Sequence, residues 1–439
     1  MLTIFATAKP FHGHTGVIQR NAIASWTLLR PRPEIILFGN EPGTADLCRE
    51  FGLGHVPELA CTELGAPLLP DLFEKAQRIA AHDILCYVNS DIMVMGDFLE
   101  ALRKVSEAHS RFLMVGRRWD VSIRDVWDFT ARGGESGLRE FVSRHGKQGP
   151  PPGNSDFFAF PKGMWTSIPP LGIGRAAWDA WLIYEARRLG AAVVDASAAV
   201  MAIHQSHDQS AYPHGLRQWR RELNRNWELV GKEAGRFCLW DATHLLTPDG
   251  LVPARGVRYL IRRLDTLHLF YPRLGALLKI PRLAAARLRS SREKKALARD
   301  PLLRLVKLVQ AKLPADGVTA ILGLSSDREP RQNGNSLGLL LANSLTWIGL
   351  PTVVYDPERS AMERARRSLG GPVKFASSAE ECVSDADVIV FAAPHQEFCS
   401  VPVERLVREG PTRPVIDCCE LWKGQAAREH LGYAAWSEK

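Results

Sequence analysis

No uninterrupted apolar run in the chain reaches the ~18 residues that a membrane-spanning helix requires. Met1-Leu2-Thr3 leads straight into a β-rich stretch, without a charged n-region and a cleavage site, so the expected location is cytoplasmic. Cysteine is sparse and unpatterned. Cys48, Cys61, Cys86, Cys238, Cys382, Cys399, Cys418 and Cys419 contain no C-x-x-C pair and no zinc spacing, so reduced thiols are expected. No G-x-G-x-x-G follows the strand-like run at Ile321, which removes the usual glycine turn for a dinucleotide. Sequence repeats and low-complexity tracts are absent too. What is present is 46% hydrophobic and 24% charged, the balance of a globular chain, and 439 residues allow about three units.

The first half alternates strand and helix. Leu2 to Thr7 reads as a strand, Val17 to Leu29 as an amphipathic helix, and Glu34 to Phe38 as a second strand. Helices near Asp71 to Ala81 and Asp97 to Ala108 then bracket a strand at Asp83 to Val88, and a further strand follows at Phe112 to Val115. The run Tyr87-Val88-Asn89-Ser90-Asp91-Ile92 ends its strand on a polar pair and a carboxylate, where an open α/β sheet binds ligands. An acid there can hold a divalent cation, which can bridge the phosphates of a nucleotide-sugar; the same residues also read as a loop-start turn. Arg117-Arg118-Trp119-Asp120 follows the Phe112 strand, and the Arg117 guanidinium suits a diphosphate, although a solvated turn reads equally well.

These motifs resemble, in order, those of the GT-A glycosyltransferases, whose Asp-x-Asp motif occupies the position of Asn89-Ser90-Asp91. The resemblance implies Asp91 as the metal-facing acid, with Asn89 as a departure that hydrogen-bonds a ribose without adding charge. It implies donor contacts at Thr7 and Lys9, with Asn40 a further candidate. Asn154 and Asp156, in the turn before the aromatic strand at Phe157, would bind sugar hydroxyls, although such residues also form turns. Within Trp178-Asp179-Ala180-Trp181 it implies Asp179 as the general base that deprotonates the acceptor; the helix dipole alone would also favour an acid there. A late histidine, His204 first and His207 second, would complete a shell for Mn²⁺ or Mg²⁺.

Charge is concentrated between Pro253 and Leu313, where sixteen Lys or Arg face three acids. The stretch reads as helices Val257 to Leu264, Leu267 to Leu278, Leu283 to Leu297 and Leu302 to Leu313, broken by Pro272, Pro281 and Pro301. Basic helices with an apolar face suit an anionic membrane surface, placing the chain peripherally on the inner face, or a packed linker; no nucleic-acid motif accompanies them.

From about Gly317 an α/β pattern returns, with strands near Val318 to Gly323, Thr352 to Tyr355, Asp387 to Ala392 and Pro414 to Asp417 and a helix at Asn335 to Ile348. Ile321-Leu322-Gly323-Leu324-Ser325, Val353-Val354-Tyr355-Asp356-Pro357 and Pro414-Val415-Ile416-Asp417 resemble the C-terminal domain of the UDP-glucose/GDP-mannose dehydrogenases. The basic groups of that family are replaced or moved, leaving Arg328 and Arg331 as candidate nucleotide contacts, and no NAD is expected.

The expectation is an α/β chain of three parts: a GT-A-like domain over 1–235, a basic helical connector over 236–316, and a small doubly wound parallel-sheet domain over 317–439. The expected activity is sugar transfer from a nucleotide-sugar, a UDP-sugar foremost, to a glycan or lipid-linked acceptor in cell-surface polysaccharide assembly. The alternatives are an NAD-linked UDP-sugar oxidoreductase and a non-catalytic nucleotide-sugar-binding scaffold.

Overall fold

The computed structural model describes residues 1–130, 133–152, 155–207, 215–271, 300–325, 336–401, 406, 413–419, 421 and, for the backbone, 432–435. The chain forms two units. One comprises Met1–His207 with Arg225–Lys279, the other Asp208–Asn224 with Ile280–Lys439.

The first unit holds strands β1 (Leu2–Thr7), β2 (Glu34–Phe38), β3 (Gly54–Val56), β4 (Ile84–Val88), β5 (Ile92–Met93), β6 (Phe112–Val115) and β7 (Arg118–Val121). They are followed by β8 (Lys147–Gln148), β9 (Phe157–Pro161), β10 (Ala192–Asp195), β11 (Ala202–Gln205), β12 (His244–Thr247) and β13 (Gly250–Pro253). Nine of these make one sheet in the order β13-β12-β10-β6-β9-β4-β1-β2-β3, and β5-β11-β7-β8 make a second. Within the large sheet β9 runs antiparallel to β4 and β6, while β1 pairs parallel with both β2 and β4. The central strands are buried on both faces, which is why they read as continuous apolar runs rather than as alternating ones.

The helix Gly13–Leu28 starts earlier than its apolar spacing suggests, because its inner face is partly polar. Gln19 and Asn21 are buried there, and buried amides are tolerated only when bonded. Gln19 accepts from the Lys9 amide at 2.6 Å and donates to the Lys9 carbonyl at 2.9 Å, pinning the loop after β1. Asn21 donates to Gln205 Oε1 at 2.9 Å and accepts from the Trp127 amide at 2.7 Å.

Two readings of the basic stretch need correcting. The hairpin β12–β13 lies inside the stretch expected as helical connector, and β12 extends the large sheet alongside β10. The helices expected to break near Asp265 are one helix, Val257–Phe270: Thr266 is buried and donates to the Arg262 carbonyl at 2.9 Å, so nothing interrupts the turn. Residues 272–299 lie outside the described residues, and the helix expected from Leu302 is present as Pro301–Lys312, capped by Asp300. No described helix is long and apolar enough to cross a membrane.

The second unit is built on β14 (Thr319–Leu322), β15 (Thr352–Tyr355), β16 (Val373–Phe375), β17 (Val388–Phe391), β18 (Pro414–Asp417) and β19 (Gly432–Ala435). All pair parallel in the order β16-β15-β14-β17-β18-β19, so the strand order reverses between β14 and β17 as in a doubly wound sheet. Backbones approach closely at that reversal. A Cβ on Gly338 would lie 1.9 Å from the Gly323 carbonyl oxygen, and Gly323 itself has φ +97°.

Candidate active site

Strand β4 ends at Val88, and the chain turns back with the Ile92 amide donating to the Asn89 carbonyl at 3.0 Å. That turn delivers Ile92–Met93 as β5 onto β11, antiparallel, with Ile92 opposite His204. Asp91 therefore lies beside two imidazoles. His204 Nε2 is 3.7 Å and His207 Nε2 3.2 Å from Asp91 Oδ2, and one ligand atom from each residue falls within 4.8 Å of the others. Burial works against charge on Asp91, yet the hydrogen bond from His207 and the fields of His204, His207 and Lys9 hold its carboxyl well below the usual range.

The other oxygen, Asp91 Oδ1, is buried and has no hydrogen-bond partner among the described residues. A buried carboxylate oxygen left so is costly without a further partner, and a cation is the partner it suits. His204 is oriented for the same task. Its Nδ1 meets Asp120 Oδ1 at 2.7 Å, which leaves Nε2 toward Asp91 in the carboxylate–histidine arrangement common behind metal ligands. The residues present thus fit a divalent ion.

Across from this trio, Asn89 donates to Asp156 Oδ1 at 2.7 Å and accepts from the Tyr87 hydroxyl at 2.9 Å; that hydroxyl also meets Thr7. Arg118 donates to Asp156 Oδ2 at 3.0 Å and lies 3.0 Å from Asp120, tying the two carboxylates together. Trp178 packs edge-on against Tyr87 with centroids 5.4 Å apart, which seats the first turn of the helix Trp178–Arg188 on the strand ends. Ala177, just before that helix, has φ 73°, a left-handed conformation no other described non-glycine residue adopts. Asp179 follows in the first turn. Burial pushes its carboxyl above the ordinary value and the Asp156 charge adds to that, outweighing the Ala180 amide.

The structure thus gathers Thr7, Lys9, Asn89, Asp91, Asp156, Asp179 and His204 at one end of the large sheet. Arg117 is turned elsewhere: its Nη1 donates to the Gly149 carbonyl at 2.7 Å, and its neighbour Arg118 is the guanidinium held to the acids. Asn154, Arg328 and Arg331 lie outside the described residues. Sequence reading left out Asp120 and Arg118 as site residues. Period two along β7 puts residues 118 and 120 on one face, and only the parallel register of His204 with Asp120 turns that face to His204.

In the second unit the acid ending β15 is differently placed. Asp356 Oδ2 accepts from the Leu324 amide at 2.6 Å, the Ser325 amide at 2.7 Å and the Ser325 hydroxyl at 2.8 Å, and Oδ1 accepts from the Glu358 amide at 2.8 Å. It is 2% exposed. Oδ2 is spent on the turn after β14 and Oδ1 on the turn after β15.

The chain is similar to a 1–349 fragment of S. aureus TarS solved in complex with UDP-GlcNAc, at 14% identity over 53% of this chain and 68% of that one, with a TM-score of 0.32. It is also similar to the Pyrobaculum calidifontis mannosyltransferase PcManGT in complex with GDP-Man and Mn²⁺, at 14% identity, 71% and 84% coverage and a TM-score of 0.34. A third likeness is to M. tuberculosis glucosyl-3-phosphoglycerate synthase, at 14% identity, 52% and 79% coverage and a TM-score of 0.33. No curated protein matches the sequence. Residues 320–424 match the UDP-glucose/GDP-mannose dehydrogenase family, UDP binding domain.

Proposed function

We propose that the protein is a glycosyltransferase of the GT-A kind that moves a sugar from a nucleotide-sugar, a UDP-sugar in the first instance, to a hydroxyl acceptor. The observation that carries this is Asp91 Oδ1, buried after β4 beside His204 and His207 and without a hydrogen-bond partner among the described residues; Asp179, its carboxyl raised by burial and by the charge of Asp156, is the candidate base. When bound, a divalent ion supplies positive charge for the leaving diphosphate. Two imidazoles with one carboxylate favour a manganese-class ion over magnesium, which prefers oxygen ligands. Lys9 adds a positive charge on the donor side, and Asn89 and Asp156 offer hydrogen bonds to ribose or sugar hydroxyls, with Asn154 a further candidate. Asp179 takes the proton of the acceptor hydroxyl as its oxygen bonds to the anomeric carbon and the bond from that carbon to the diphosphate breaks. A cytoplasmic location and a glycan or lipid-linked acceptor belong to the same proposal.

The second reading, an NAD-linked UDP-sugar oxidoreductase, draws on the 320–424 match and the doubly wound order of the second sheet. Asp356 weighs against it, because an acid at the end of the second strand must be free to take a ribose diol and both oxygens of this one already accept from backbone amides. Incubation with isotope-labelled UDP-sugars and Mn²⁺ tests the two together. Labelled glycoside or metal-dependent donor hydrolysis supports transfer, whereas NADH formation without either sinks it.

A further inference from the structure

The helix Val257–Phe270 turns its charged side inward. Arg262 ion-pairs with the buried Asp241 at 2.9 Å and donates to the Arg236 carbonyl at 2.6 Å. Arg263 donates to the Ala254 carbonyl at 2.9 Å, Thr266 is buried, and Tyr259 and Phe270 pack edge-on against Trp240 and Phe237. The opposite face, at spacing i, i+3, i+4 and i+7, is aliphatic and open: Val257 is 73% exposed, Leu260 58%, Ile261 61% and Leu264 48%. Tyr271, at the end of the helix, is exposed as well.

This orientation is enforced. Rolling the helix over to bury its aliphatic face would strip Asp241 of its guanidinium and leave a buried charge unpaired, which is among the costlier defects a fold can carry. The apolar stripe is therefore a fixed feature of the surface, and contiguous stripes of this kind mark contact sites. Charge decides the occupant. Arg255 and Arg258 are exposed beside the stripe, and the stretch that follows, 272–299, carries nine Lys or Arg against one acid. A second copy of the chain would bring the same sign of charge. Anionic lipid brings the opposite sign, and an acyl boundary accepts the aliphatic face.

We propose that the outward face of this helix inserts into the interface of an anionic membrane, with Val257, Leu260, Ile261 and Leu264 as the inserted residues and Arg255 and Arg258 at the headgroups. The proposal goes beyond the transfer reaction and does not depend on it: a chain without transferase activity would bind in the same way. The test is flotation of the full-length protein with phosphatidylcholine vesicles, with and without phosphatidylglycerol. Wild type floats with the anionic vesicles and is released as salt rises. Leu260→Glu, Ile261→Glu and Leu264→Glu together lower partitioning on the order of a hundredfold while the melting temperature holds, because the replaced side chains are exposed. The triple serine replacement at the same positions repeats the test without added charge. An environment-sensitive fluorophore on Ile261→Cys shifts to the blue with lipid. Wild type that ignores anionic vesicles at low salt overturns the proposal, as do triple variants that float normally. A fluorophore that stays in water while the protein binds assigns attachment to the basic stretch 272–299 and also overturns it. Self-association of wild type that the triple variants abolish, without vesicle binding, gives the face to a second copy and overturns it equally.

Discussion

Each unit carries an aspartate just past a strand, Asp91 after β4 and Asp356 after β15, and the two have opposite surroundings. Asp91 has one oxygen without a hydrogen-bond partner among the described residues, and the other accepts from His207. Asp356, after β15, has each oxygen bonded to the turns around it. A strand-end acid becomes a ligand for something outside the protein only where its lone pairs are unspent. An acid just past a strand is thus left open in one unit and bonded into its own turns in the other.

The sharpest break of this comparison is Asp91→Ala. If the open oxygen holds a cation, the variant should lose Mn²⁺-dependent stabilisation by UDP-sugars and all measurable transfer. Thermal shift with and without Mn²⁺ reads the first and labelled-sugar transfer the second. Unchanged Mn²⁺-dependent donor binding would show that the two aspartates do not differ in the way their geometry implies.

Much of the site was legible because strand ends, a Trp-Asp-x-Trp helix start and a late histidine leave local marks. Asp91, Asp179 and His204 carry such marks and are gathered by the fold. Asp120 is 84 residues before His204, and only the pairing of β7 with β11 brings them together. Registers of that kind are set by tertiary packing and leave no trace at either segment alone. The inward arginines of the helix Val257–Phe270 were illegible for a similar reason: hydrophobic periodicity leaves the aliphatic face open to a membrane surface or to a packed neighbour, and the partner that draws Arg262 inward, Asp241, lies in a short 3₁₀ turn with no pattern of its own. The spent lone pairs of Asp356 were equally hidden, since Asp356-Pro357 reads the same whether the acid faces a ligand or a backbone amide.

Asp179→Asn tests the other half of the open site with a smaller effect. As a general base it should cost ~10²-fold or more in transfer rate, with donor binding retained. In wild type, the activity limb governed by Asp179 should rise with pH above the ordinary carboxylate range near 4, since burial raises its pKa. The stability sign follows from the same shift. A folded-state pKa above the unfolded one gives stability that is present at low pH and lost as pH rises through the folded value. The amide should therefore raise the melting temperature at pH 7 and change it less near pH 4. Transfer within a few-fold of wild type, or a variant that melts lower at pH 7, would return Asp179 to a helix-start role.

The closed aspartate predicts the reverse pattern. Asp356→Asn keeps the shape but turns an amide donor toward amides that need an acceptor, at a cost of about 1–3 kcal/mol. Unfolding of the second unit should move to lower denaturant, while Mn²⁺-dependent donor binding at Asp91 stays as it was. Loss of transfer without loss of stability would mean that Asp356 serves a ligand after all.

The smallest expected effect is the most discriminating between the two readings of the second unit. A ligand that binds only the folded state stabilises it by about 2.7 kcal/mol at a hundred times its dissociation constant, enough to move a melting temperature by several degrees. NAD should produce no such shift in the full chain, because both oxygens of Asp356 are bonded to backbone amides and Gly323 is followed by Leu324-Ser325 rather than a further glycine that would let a pyrophosphate approach. UDP should still be tried in the Asp91→Ala background, where the first site is disabled. Residual stabilisation there would place a nucleotide on the second unit, and its loss on Arg328→Ala with Arg331→Ala would assign those guanidiniums. A clear shift with NAD, or NADH produced from UDP-glucose, would make the second strand end the open one and favour oxidation over transfer.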